Sequence, residues 1–324
     1  MSVVPPGSVE LSFVVPVYNE AESVENLYRE IVAAGEAGGG TFEILFVDDG
    51  SRDGTDRVLY QVAESDARVR VASFRRNFGK SAALAVAFAQ VNGRLVMTLD
   101  GDLQDDPAEL PSMRAALEER GLDLVSGWKA TRRDPWTKRL PSRLFNAVAG
   151  RVTGARLHDL NCGLKLYRRE VVDALEVYGE LHRFLPALAH LKGFRIGEVP
   201  VRHRARQFGH SKFGASRFVN GFLDLLAVSF IQTSALKPLH VFGRIGLLSG
   251  MVGGGIAAYF LVIWALGEPL RVRPLLILAA VLLILGIQFV SLGLLGELIA
   301  TQHPKTNYPL RAQRRWDGGG AGGV

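Results

Sequence analysis

Two apolar runs near the C-terminal end constrain this chain more than any other feature. Residues from about Val241 to Leu266 and from about Leu275 to Gly296 carry almost no charge, and as helices rising ~1.5 Å per residue each can cross a ~30 Å hydrocarbon core. Two adjacent runs of that length rarely fit inside a globular domain, so they read as transmembrane helices rather than a buried hairpin. The connection Gly267–Pro274 is short, so the chain crosses and returns. Lys237, Arg244, Lys305, Arg311, Arg314 and Arg315 flank the pair, against Arg271 and Arg273 in the connection. That excess predicts a multi-pass protein of the cell membrane with both termini and the large N-terminal part cytosolic.

Taken as a whole, the composition is near that of a soluble protein. The 324 residues are 48% hydrophobic with a net charge of +6, a modest excess that, beside a membrane anchor, suits anionic lipid and phosphate groups. No aromatic-basic motif for nucleic acid appears, and none is expected as a partner. Met1–Glu10 is polar and Pro-rich, and Leu11–Val17 is too short for a secretory leader. A single cysteine, Cys162, excludes an internal disulfide and agrees with a reducing compartment.

The first 200 residues alternate between strand and helix patterns. Strands are predicted at Leu11–Pro16, Phe42–Val47, Val69–Ser73 and Leu95–Leu99, with helices at about Ala21–Ala34, from near Gly54, at Lys80–Val91 and at Pro107–Glu119. This rhythm predicts an α/β fold with a mainly parallel sheet, whose ligands sit at the carboxyl ends of the strands. Polar clusters stand at those ends: Tyr18-Asn19-Glu20, Asp48-Asp49-Gly50-Ser51, Asn77-Phe78-Gly79 and Asp100-Gly101-Asp102-Leu103-Gln104. For the last, two readings stay open. A turn at Gly101 brings the oxygens of Asp100, Asp102 and Gln104 round a hard cation, or the run is a polar turn into a helix starting at Asp106-Pro107.

Taken together these motifs resemble those of family 2 glycosyltransferases. Val14-Val15-Pro16-Val17-Tyr18-Asn19-Glu20, Val47–Ser51, Asn77–Gly79 and Leu99–Gln104 are similar to the family's successive motifs. Gly127–Asp134, Asp159–Tyr167 and Arg206–Phe213 follow in order. The likeness is closest to the polyisoprenyl-phosphate branch, with its dolichyl-phosphate mannose synthases and bacterial polyprenyl-phosphate glucosyltransferases. It implies a GT-A, Rossmann-like catalytic domain that moves a single hexose from a nucleotide sugar, UDP-glucose or GDP-mannose, to polyprenyl or dolichyl phosphate for cell envelope glycans.

The resemblance also implies residue roles. Pro16, Tyr18, Glu20 and Asp48 line the nucleoside pocket; Asp100, Asp102 and Gln104 carry Mg²⁺ or Mn²⁺ on the donor diphosphate, which Arg206 and Lys212 help neutralise. Lys129 and Arg132 receive the acceptor phosphate, and Asp102 and Asp159 are the catalytic candidates. A phosphate monoester with a second pKa near ~6 needs no strong general base at neutral pH, so direct displacement would invert the anomeric carbon.

The segments are therefore a tail (1–10), a cytosolic catalytic domain (11–212), an amphipathic interfacial segment (213–240), a two-helix membrane hairpin (241–300) and a cytosolic tail (301–324) with a disordered Gly-rich end. Gly246, Gly250 and Gly254 form a stripe that packs the two spans together or joins protomers. Gly79-Lys80-Ser81 copies the end of a P-loop, but the earlier glycine position is Phe74, so that reading is set aside. Gln313-Arg314-Arg315-Trp316 is one residue short of a processive-synthase motif. Two alternatives stand: a glycan- or glycolipid-extending transferase, which needs a carboxylate base, and a non-catalytic lipid-phosphate binding scaffold.

Overall fold

The computed structural model describes residues 9–129, 150, 154, 155, 157–202, 204, 238–267 and 274–302. They fall into two compact units, dividing between Asp224 and Leu225.

The first unit is built on a seven-stranded sheet in the order β3-β2-β1-β4-β6-β5-β7. Its strands are β1 (Val9–Val17), β2 (Phe42–Asp48), β3 (Val69–Ser73), β4 (Gly93–Thr98), β5 (Leu124–Trp128), β6 (Lys165–Arg168) and β7 (Ile196–Pro200). The helices are α1 (Val24–Ala37), α2 (Thr55–Ser65), α3 (Lys80–Phe88), α4 (Leu110–Glu119), α5 (Arg169–Ala174) and α6 (Leu185–Leu191). Strands β1 to β4 pair in parallel, as their near-continuous apolar runs demand of strands covered on both faces. β6 is the exception, antiparallel to both β4 and β5. The predicted helix at Pro107 begins as a 3₁₀ turn, Pro107–Glu109, before α4. Phe13, Ile44, Phe46, Leu95, Met97 and Leu166 are wholly or almost wholly buried at the centre of the core.

At the amino ends of β1, β2 and β4 lies a buried polar clamp. Glu43, 7% exposed, accepts hydrogen bonds from Ser12 Oγ at 2.7 Å, from the Asn92 backbone and side-chain nitrogens, and from Arg70 Nη1 at 3.3 Å. Ser12 Oγ in turn accepts from Gly93 N at 2.8 Å. One carboxylate thus fixes the register of three strands.

The second unit holds α7 (Pro238–Ala265) and α8 (Pro274–Gln302), both long and apolar enough to cross a membrane. Only 17% and 11% of their most apolar windows are buried, whereas a soluble core helix would be mostly covered. The glycine stripe differs from the spacing read in the sequence. A Cβ at Gly246 would lie 2.7 Å from the Gly286 carbonyl and one at Gly253 would lie 2.9 Å from the Ala279 carbonyl, while Gly254 faces open space. Gly250 presents its backbone to Gly286, so the seam runs 246, 250, 253, because a helix of ~3.6 residues per turn returns to one face after four and then three residues. The proposed amphipathic helix at 213–237 lies outside the described residues.

Glu43→Ala strips four donors of a shared buried acceptor; a loss of about 2–4 kcal/mol is expected, read as a lower melting temperature of the detergent-solubilised protein.

Candidate active site

The four loops leaving the carboxyl ends of β1 to β4 are fastened to one another in a closed circuit. In the first, Asn19 adopts φ 55°, its backbone N–H donates to Ser51 Oγ at 2.9 Å, and its side-chain oxygen accepts from Arg52 N at 2.9 Å. Glu20 N donates to Thr55 Oγ1 at 2.9 Å. Ser51 donates from both its backbone and hydroxyl to Asp48 Oδ1, so the buried Asp48 retains Oδ2 for any ligand. The second loop reaches the third through Asp49, whose carboxylate accepts from Phe78 N at 2.7 Å and Gly79 N at 3.0 Å. Gly50 has to be glycine here: φ is +71° and a Cβ would lie 2.5 Å from the Arg76 carbonyl carbon. The third joins the fourth through an ion pair between Lys80 and Asp100. The fourth closes on β1, where Gly101 packs so tightly that a Cβ would lie 2.8 Å from Val17 Cγ1. Pro16, Tyr18 and Glu20 stand half-buried along the first loop, with Glu20 Oε2 accepting from Ser23 Oγ at 2.9 Å.

The fourth loop folds back on itself. Leu103 takes φ 61°, Gln104 N donates to Asp102 Oδ1 at 3.2 Å, and Asp100 N donates to Asp105 Oδ2 at 3.2 Å. Beyond it, Asp106 caps Ala108 N at 3.1 Å. Arg204 pairs with Asp106 at 2.9 Å and Glu30 at 2.7 Å, and its backbone N–H donates to the Gln104 carbonyl. The chain leaving β7 is thereby tied to the loop carrying Gln104.

Beneath this loop lies a layer of buried charge. Asp105 is 1% exposed and meets Lys129 Nζ at 3.4 Å. Lys165, 3% exposed, donates to the Cys162 carbonyl. Gly163 is pressed against both acids: a Cβ would lie 2.6 Å from Asp100 Cγ and 2.6 Å from Asp105 Oδ2. Its carbonyl is held by Thr98 Oγ1 at 2.9 Å. Asp159, also buried, accepts from Asn161 N at 3.2 Å.

The electrostatics follow from burial and neighbours. For Asp100, burial works against the charge, but Lys80, Lys129 and Lys165 outweigh it and hold the carboxyl below its usual range. Burial pushes Asp105 the other way, with the Asp100 charge adding to it. Burial, with Lys80 adding to it, brings Lys165 down to about 8 against the opposing pull of Cys162, Asp100 and Asp159. Burial likewise pushes the Cys162 thiol up to about 12. Burial, then Lys80, bring His182 down to about 3, keeping its ring neutral; its Nδ1 lies 2.9 Å from Ser81 Oγ.

The donor set suits a hard cation. Two carboxylates and an amide project from one doubled-back loop, Asp100 is charged and 36% exposed at its side chain, and it already draws in the Lys80 ammonium. Among the described residues no group of three or more His, Cys, Asp and Glu forms a metal cluster, so Gln104 would have to complete the set. Of the residues named from sequence, Asp100, Asp102, Gln104, Lys129 and Asp159 gather at the ends of β4 to β6. Arg132, Arg206 and Lys212 lie outside the described residues. Lys80, Asp105, Lys165, His182 and Arg204 were not named as site residues. In sequence Lys80 belongs to the P-loop-like run Gly79-Lys80-Ser81, and Arg204 stands beside Arg202 and His203 with no local sign of its partners.

Comparison with known proteins gives a consistent result. Residues 12–176 match glycosyl transferase family 2. The chain is 40% identical over 301 residues, 91% of its own length and 89% of the relative's, to a dodecaprenyl-phosphate galacturonate synthase of Rhizobium johnstonii. In fold it is similar to a mannosyltransferase of Pyrobaculum calidifontis solved with GDP-Man and Mn²⁺ (TM-score 0.50, 17% identity, 94% of this chain and 79% of that one). It is also similar to glucosyl-3-phosphoglycerate synthase of Mycobacterium tuberculosis solved with UDP (TM-score 0.52, 21% identity, 69% and 80%). The sheet with its crossovers is of this GT-A, Rossmann-like kind.

Because the folded-state pKa of His182 lies near 3, below the unfolded value of 6.5, its contribution is full above pH 6.5 and is lost as pH falls towards 3. His182→Gln should therefore show a shallower loss of melting temperature between pH 6.5 and 5 than the parent. A second expectation is that Gly163→Ala lowers stability by about 1–3 kcal/mol through overpacking against Asp100 and Asp105, measured by thermal denaturation.

Proposed function

The chain belongs to glycosyl transferase family 2, and from that membership we propose that it transfers one sugar from a nucleotide sugar to polyprenyl phosphate, producing a lipid phosphosugar. The observation that carries this reading is the likeness to a dodecaprenyl-phosphate galacturonate synthase over about nine-tenths of both chains, in a chain with two helices long and apolar enough to cross a membrane. The catalytic domain and both termini are cytosolic in this reading, where nucleotide sugars are available. The donors of first choice are UDP-glucose and GDP-mannose, and the relative's product adds a galacturonic acid donor.

Within the site, Pro16, Tyr18, Glu20 and Asp48 Oδ2 would hold the nucleoside. Asp100, Asp102 and Gln104 would hold Mg²⁺ or Mn²⁺, which neutralises charge on the diphosphate. Arg206 and Lys212 would add to that neutralisation as the diphosphate departs. Arg132 and Lys129 are the proposed cradle for the acceptor phosphate; Lys129 meanwhile balances Asp105. Asp159 would orient the reacting groups. An acceptor phosphate already dianionic near neutral pH attacks the anomeric carbon without surrendering a proton, and its approach opposite the diphosphate inverts that carbon.

The experiment is to incubate the detergent-solubilised protein with polyprenyl phosphate, Mg²⁺ or Mn²⁺ and each of UDP-glucose, GDP-mannose and UDP-galacturonate in turn, and to detect a lipid phosphosugar by mass spectrometry. Product with one donor fixes base and sugar together. Transfer only to a glycan or glycolipid acceptor would establish the extending alternative, and absence of cation-dependent nucleotide binding would establish the scaffold. Asp102→Asn should lower transfer by at least about 100-fold with its melting temperature kept, and normal turnover in that variant would refute the cation assignment.

A further inference from the structure

The Gly79-Lys80-Ser81 run, rejected as a P-loop, delivers a charge to the site by another route. Lys80 is the first residue of α3 and is pinned on both sides. Upstream, Asp49 accepts from the backbones of Phe78 and Gly79; downstream, Ser81 Oγ accepts from His182 N at 3.1 Å. Held in this way, Lys80 carries its ammonium across to Asp100 Oδ1.

The two acids of the layer are neutralised in different ways. Asp105 is shut in, with a largely covered Lys129 and the Asp100 backbone as partners. The Lys80–Asp100 pair is open to water, with side-chain exposures of 32% and 36%. The first pair is permanent structure, whereas the second can exchange partners. A divalent cation entering alone must displace an ammonium whose nearest remaining carboxylate, Asp105, is already paired with Lys129, which is costly. One entering with a nucleotide brings the displaced ammonium a diphosphate.

We propose that Lys80 is the internal counter-ion of the cation site: it neutralises Asp100 in the free enzyme and passes to the nucleotide diphosphate when cation and nucleotide bind together. The inference rests on the reading of Asp100, Asp102 and Gln104 as cation ligands. It makes Lys80 a positioning residue that couples two binding events, each strengthening the other by the same factor.

The test is Mn²⁺ binding to the detergent-solubilised full chain, followed by the electron paramagnetic resonance of free Mn²⁺, alone and with UDP or GDP. Lys80→Met should bind Mn²⁺ alone roughly 3- to 10-fold more tightly than the parent, while binding the Mn²⁺–nucleotide pair roughly tenfold more weakly, in line with loss of one partly exposed ion pair and one charge-assisted phosphate contact. Lys80→Arg should restore the parental pattern. A merely structural lysine would move both affinities the same way, so opposite signs are the signature. Lys80→Gln replaces the methionine variant if that melts early. Unchanged or weaker binding of Mn²⁺ alone in the neutral variants, with Asp102→Asn still abolishing it, would overturn this inference and leave the cation reading standing. Parental Mn²⁺ binding in Asp102→Asn would overturn the cation reading itself.

Discussion

The architecture depends on charged groups held out of water by other charged groups. Asp105 and Lys165 are buried, and Lys129 nearly so, at the junction of β4, β5 and β6, where a lone charge would be prohibitively expensive, while Asp100 stands at the water-facing edge paired with Lys80. Every nearby backbone choice serves their pairing. Gly163 has no side chain because the acids need its volume, Leu103 accepts a left-handed conformation so that the loop can double back, and β6 runs against its neighbours, bringing the Asp159–Lys165 segment up to the acids. The loop circuit extends this arrangement outwards, so that the loops after β1 and β2 and the charged floor form one connected body.

The parallel half of the sheet was legible because its strands are buried on both faces and punctuated by polar turns. The four clusters at the strand ends followed from that, and each lies where the alternation puts it. What the sequence hid was long-range. Nothing local in Lys165-Leu166-Tyr167-Arg168 says that it pairs antiparallel between β4 and β5, since strand direction is set by the connection and not by propensity. The expected helix to Val91 stops at Phe88, short of the turn that presents Asn92 to Glu43.

Among the site residues, the acids of the Asp100 run announced themselves by their spacing. Their counter-charges did not, because Lys80, Lys129 and Lys165 come from three separate elements. Arg204 is equally obscure: its sequence neighbours Arg202, His203 and Arg206 give no sign of a partner, yet it binds Asp106 and Glu30 at once. In the apolar hairpin, residues four apart suggested a stripe on Gly254, whereas the helical period favours Gly253, a one-residue difference that only the packing of α7 on α8 reveals.

Cys162 is fully buried and its thiol is pushed up to about 12, so at neutral pH it stays protonated and out of reach of solvent. It is also the only cysteine in the chain. For labelling chemistry, the wild-type protein therefore behaves as a cysteine-free background: a reporter thiol introduced anywhere on its surface would be modified alone, with no native residue to remove first.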